Sequence, residues 1–82
     1  MSGGWLLVKF SESLKQNRER IGLTQGELAK AIGISIATIN RYENGKHEPT
    51  PIVRKAIIDF FREHSIEFVY DEQEDSAPWR RI

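Results

Sequence analysis

Ile36, Ala37, Asn40 and Arg41 are side chains whose chemistry matches the edges of nucleic-acid bases. The Arg41 guanidinium can give two hydrogen bonds to guanine O6 and N7, the Asn40 amide can pair with adenine N6 and N7, and Ile36 and Ala37 can meet thymine methyl groups. With Asn44 they stand at i, i+1, i+4, i+5 and i+8, the spacing of one helical face opposite Ile39 and Tyr42. Beside that face lie groups suited to phosphate oxygens: Thr38, Asn44, Lys46 and Ser35, the last of which is first of all a helix cap.

A helix reads a base only if other elements hold it, and cap and stop signals divide the chain into such elements. Ser11 opens a first helix over residues 11–21, with Leu14, Arg18 and Ile21 on one face and Gly22 as its stop. Thr24 and Glu27 form a capping box at the start of a second helix, which carries Leu28, Ala29 and Ile32 inward and ends at Gly33. Ser35 caps a third helix that ends at Asn44 and Gly45. Thr50 followed by Pro51 opens a fourth, with Ile52, Val53, Ala56, Ile57, Phe60 and Phe61 as its apolar stripe.

Two short helices joined by a glycine turn, the second amphipathic, are the arrangement that presents a helix to the DNA major groove. The run also resembles the Xre/Cro/C1 family of phage-repressor-like transcription regulators over about residues 10–64. The matching positions are Leu23-Thr24-Gln25, Glu27-Leu28-Ala29, Gly33, Ile34, Ile39, Tyr42-Glu43-Asn44-Gly45 and Pro49. The resemblance implies a mainly α, lambda-repressor-like helix-turn-helix bundle of four helices. It further implies that Gln25 clamps a phosphate at the start of the second helix, and that Arg18 and Glu43 form a structural ion pair, whether buried or reached by solvent. The sequence departs from the family at Glu48, a loop position often basic, and at Ile36 and Ala37, which stand where polar readers are usual.

Outside residues 10–64 the chain reads differently. Residues 1–9 form a leader in which residues 5–8 suit a short strand, and residues 65–82 form a C-terminal β extension. In that extension Ile66, Phe68 and Tyr70 alternate with Glu67 and Val69, residues 71–75 are polar, and residues 77–82 suit a second strand of a hairpin. A two-stranded hairpin needs cover. Helix 4 or a second copy of the chain can supply it, and the extension is the expected dimerisation element of a homodimer on two-fold DNA.

The 82 residues suffice for one small domain, and their zero net charge hides 10 Lys/Arg against 7 Asp/Glu in residues 1–64 and 2 against 5 thereafter. A locally basic face is what phosphates respond to, so double-stranded DNA stays the expected partner. The chain lacks cysteine, His47 and His64 lack ligand spacing, and residues 71–75 lack the glycine and alternating oxygens of a calcium loop. The sequence therefore implies no metal, no cofactor and no enzyme. The apolar run at residues 5–8 is far too short to span a membrane, which suits a cytoplasmic chain. An alternative from another class stays open, an antitoxin-like or anti-activator module that binds a protein partner by strand addition.

Overall fold

Phe10, rather than Ser11, starts the first helix. In the computed structural model, which describes residues 8–70, α1 spans Phe10–Arg20, α2 Gln25–Ile32, α3 Ile36–Glu43 and α4 Pro51–Glu63. The Phe10 ring is buried, which draws the helix back one residue, and the Lys9 N–H is satisfied by Glu12 Oε1 at 3.3 Å. Ser11 thus lies inside α1 instead of capping it. Its side chain faces Gly45, where a Cβ would sit 3.7 Å from Ser11 Oγ.

The remaining helix starts follow local hydrogen-bond rules. Thr24 Oγ1 accepts from the Glu27 N–H at 3.1 Å while Glu27 Oε1 accepts from the Thr24 N–H at 2.8 Å. Ser35 Oγ accepts from the Thr38 N–H at 3.1 Å, and Thr50 Oγ1 from the Val53 N–H at 3.3 Å. Left-handed residues at or just past the ends stop α1, α2 and the α3 turn, with φ of 79° at Gly22, 93° at Gly33 and 72° at Gly45. The α4 stop uses Ser65 at φ 63°, a conformation costly for a residue with a Cβ, and the Ile66 N–H closes it on Phe61 O at 2.9 Å.

Leu14, Leu28, Ile39, Ile57 and Phe61 are fully buried, and Phe10, Ala29, Tyr42 and Ile66 complete the core. On α4 the inward stripe is Val53, Ile57, Phe60 and Phe61. Ile52 (83% exposed) and Ala56 fall outside it, because each sits one residue, about 100° around the helix, from the buried positions. Arg54 donates to Pro49 O at 3.4 Å and lies 5.8 Å from the Phe10 ring centre, tying the loop before α4 to α1.

The expected C-terminal hairpin is not seen in the described residues, which hold only its first half. Among the described residues there is no strand, and residues 66–70 run extended along their own bundle. The alternation read from the sequence is present: Ile66 is buried, Phe68 and Tyr70 are half-buried, and Glu67 and Val69 face out. Its apolar side is covered within the chain, with Phe68 5.1 Å from Phe10 and 5.4 Å from Phe61, and Tyr70 edge-on to Phe10 at 4.9 Å. Among the described residues the segment serves as an extended strip of core cover. Val8 is half-buried and outside any strand; residues 5–7, residues 71–75 and residues 77–82 lie outside the described residues. Among the described residues no helix is long and apolar enough to cross a membrane.

Candidate nucleic-acid interface

The eight residues of α3 are anchored by one face and bare on the other. Ile39 and Tyr42 are buried, whereas Ile36, Ala37, Asn40, Arg41 and Asn44 are all exposed, so the sequence-predicted base readers share one outward surface. Three devices set its attitude. Gly33 and Ile34 both bond to Ala29 O, at 2.8 and 3.0 Å, which fixes the turn between α2 and α3. Leu28 and Ala29 meet Ile39 in the core. Behind α3, His47 stacks on Tyr42 with ring centres 5.9 Å apart and planes 11° apart.

The third device is ionic. Arg18 Nε donates to Glu43 Oε2 at 2.6 Å and Nη2 to Oε1 at 3.1 Å, while Nη1 donates to Leu23 O at 2.8 Å. With side chains 10% and 2% exposed, the pair is buried, which answers the question the sequence left open. The hydrogen bonds it donates to Glu43 raise the Arg18 guanidinium above its ordinary range, against the opposing effect of burial. Removing one partner of such a pair costs about 3–5 kcal/mol, because the other charge stays behind unpaired. The Arg18 guanidinium thereby fastens α1 to the C-terminal end of α3 and to the α1–α2 loop.

Glu43 also receives Gln25. Gln25 Nε2 donates to Glu43 Oε1 at 3.0 Å, Asn40 Nδ2 donates to Gln25 Oε1 at 3.4 Å, and Asn44 Nδ2 donates to Asn40 Oδ1 at 3.0 Å. The Gln25 amide is thus engaged within the protein, while Gln25 stands at the first position of α2, where the backbone N–H groups point outward. Ser35 and Thr38 are engaged with each other at 2.8 Å between hydroxyl oxygens. Lys46 is exposed just beyond α3. Sequence reasoning missed the contacts of Gln25 with Glu43 and Asn40, since partners 18 and 15 residues apart leave no local pattern. The Asn40–Asn44 bond did have a signal in its four-residue spacing. Ile36 carries a structural contact as well: its Cδ1 would stand 3.5 Å from a Cβ at Gly26, so this side chain leans on the first turn of α2 though 55% exposed.

Among the described residues no group of His, Asp and Glu is placed to hold a metal. What the surface offers is amide, guanidinium, hydroxyl and methyl groups on a convex helix, the complement of a groove rather than of a small substrate.

Residues 14–68 match the helix-turn-helix family. The chain is 33% identical over 64 residues to an uncharacterised HTH-type transcriptional regulator of Methanothermobacter thermautotrophicus, covering 78% of this chain and 93% of that protein. Over 43 residues, 52% of the chain, it is 40% identical to the cryptic phage CTXphi transcriptional repressor RstR of Vibrio cholerae, of which it spans 38%. Over 54 residues, 62% of the chain, it is 45% identical to the Type II methyltransferase M.SsoII of Shigella sonnei, but it spans only 14% of that enzyme. No solved structure matches. On the matched residues and on the geometry around α3, the chain belongs to the helix-turn-helix family, of the Xre/Cro-like type found in transcription regulators.

Proposed function

We propose that the protein is a sequence-specific DNA-binding repressor or control element that lays α3 in the major groove of a two-fold operator. The observation that carries this reading is the bare face of α3, on which Ile36, Ala37, Asn40 and Arg41 stand together while Ile39 and Tyr42 fix the opposite side. Arg41 takes a guanine edge, Asn40 an adenine edge, and Ile36 and Ala37 thymine methyl groups. Gln25, Ser35, Thr38, Asn44 and Lys46 flank that face and hold the backbone, Gln25 through its N–H at the positive end of α2. A repressor role draws on the repressor among the relatives.

One helix per groove makes a small contact, so two copies on half-sites about 34 Å apart supply the affinity. Because Phe68 and Tyr70 pack within their own chain, we assign the second-copy contact to the outward edge at Val69 and to residues beyond Tyr70. Truncation after Tyr70 is the matching test, since a cut after Ser65 would also strip core cover. It should leave a folded chain with half-site binding and poor full-operator affinity; a truncated chain that still dimerises removes the tail from this role.

The reading itself is tested by selecting binding sites from randomised duplexes with the intact protein and with Arg41→Ala. Recovery of a two-fold sequence, relaxed at one base pair per half-site in the variant, is the expected result; recovery of no preferred sequence defeats it. The exposed apolar pair Ile36 and Ala37 favours a second reading, a surface for a protein partner, and that absence of preference is the outcome it requires.

A further inference from the structure

A carboxylate in an ion pair has only acceptors to offer, and this gives the hydrogen-bonded chain from Glu43 to Asn44 a direction. Gln25 must turn its NH2 group toward Glu43 Oε1, 3.0 Å away, which leaves its carbonyl facing Asn40. Asn40 must then turn its own NH2 inward to that carbonyl at 3.4 Å, and its Oδ1 accepts from Asn44 Nδ2 at 3.0 Å. Each amide could flip and exchange donor for acceptor if left alone. Here the orientation of all three descends from the buried Arg18–Glu43 pair.

We propose that Gln25, besides any contact it makes with the DNA backbone, is a specificity-determining positioning residue, one that sets which way the Asn40 amide faces the bases. The proposal rests on the reading that Asn40 meets a base edge. In the fixed orientation Asn40 keeps one N–H and one lone pair for that edge, with nitrogen and oxygen in defined places, the pairing adenine requires of an asparagine. Loss of the Gln25 acceptor frees the amide to turn, so that the swapped donor and acceptor face the same edge and discrimination falls. A residue on α2 that touches no base would in this way govern a base preference exercised from α3, and the preference would trace back through Glu43 to Arg18 on α1.

Three variants of the full chain separate the possibilities: Asn40→Ala, Gln25→Leu and Gln25→Lys. Leucine removes both polar functions of Gln25; lysine keeps a donor for Glu43, and so the tie between α2 and α3, but offers Asn40 no acceptor. Each is checked by circular dichroism and thermal melting and then put through selection on randomised duplex DNA. Asn40→Ala identifies the base pair read by Asn40. Both Gln25 variants are expected to lose roughly 2- to 10-fold discrimination at that same base pair, the size of one net hydrogen bond, with preferences elsewhere kept. A merely structural or phosphate-binding Gln25 would weaken all sequences alike, and unchanged preference at that base pair in both Gln25 variants overturns the inference while leaving the function standing. If Asn40→Ala itself retains the parent preference everywhere, Asn40 is not a reader, and the inference falls with that base contact while sequence-specific binding stands. In the DNA-free protein, the side-chain amide resonances of Asn40 and Asn44 should shift in Gln25→Leu; resonances that stay in place also overturn the inference.

Discussion

Arg18→Met removes the cation from the Arg18–Glu43 pair while keeping much of the side-chain volume, and it should be among the most damaging single changes in the chain. Glu43, 2% exposed, would keep only Gln25 as a donor and lose two charge-assisted hydrogen bonds, those now measuring 2.6 and 3.1 Å. At about 1.5–3 kcal/mol each, these bonds bracket the ~3–5 kcal/mol known for stranding one charge of a buried pair. Leu23 O would lose its guanidinium donor as well. Small domains hold roughly 5–15 kcal/mol in total, so the variant should sit near the edge of folding, with a melting temperature lower by roughly 12–40 °C. Urea titration followed by circular dichroism measures the loss. The double variant Arg18→Met/Glu43→Leu then supplies the decisive comparison: with no charge left to strand, it should recover most of the deficit. A single-variant loss below about 1 kcal/mol, or a double variant no better than the single, would show a pair screened like a surface one and refute the reasoning.

Ser65→Gly should raise stability by about 1 kcal/mol, or roughly 4–8 °C in melting temperature, because glycine takes the φ of 63° at the α4 stop without a Cβ penalty; an unchanged or lower value argues against strain there. Burial holds the Tyr42 phenol above its ordinary range, so the unfolded chain releases that proton first. The stability this represents is whole below about pH 10 and is lost as pH rises through the folded value, and Tyr42→Phe should flatten the alkaline limb of a stability–pH curve. Lys46→Ala should weaken binding to all DNA sequences alike and flatten the slope of log affinity against log salt by about one unit; an unaltered slope takes Lys46 out of the phosphate set. Arg41→Ala should cost ~1–3 kcal/mol of discrimination at one base pair with the melting temperature nearly unchanged, since this side chain is exposed; equal loss across all sequences would make it a phosphate contact.

What could be read from the sequence is what lies within about five residues of its cause. The cap at Thr24 and its return bond from Glu27, the cap at Ser35, Thr50 before Pro51, and the stops at Gly22, Gly33 and Gly45 are all rules about one turn of backbone, and each was legible. The same rules misled at Ser11, because a serine near a helix start reads as a cap unless the burial of Phe10 is known. They were silent at Ser65, where the backbone takes a conformation that the residue type does not announce. Residues 66–70 show the limit from another side. Their two-residue alternation correctly indicated one apolar face, but alternation alone cannot say whether that face meets a strand, a helix or another copy. Phe10 and Phe61, 58 and 7 residues away from Phe68, supplied the answer.

The candidate interface divides along the same line. Its outward residues are legible because helical periodicity sorts Ile36, Ala37, Asn40, Arg41 and Asn44 from Ile39 and Tyr42 without any knowledge of neighbours. The orientation of those side chains is not legible, because Gln25 reaches Glu43 and Asn40 across 18 and 15 residues of chain, and the Arg18–Glu43 pair behind them was implied by the family resemblance alone. This difference has a physical consequence for how the surface can change. Exposed readers such as Arg41 contribute little to stability, so they can be exchanged at small cost to the fold. The groups behind them cannot, because Glu43 joins stability and orientation in a single carboxylate: the two oxygens that accept from Arg18 include the one that accepts from Gln25. A change of specificity made on the outward face of α3 is therefore inexpensive, whereas one made through Glu43 must first replace the bonds that hold α1, α2 and α3 together.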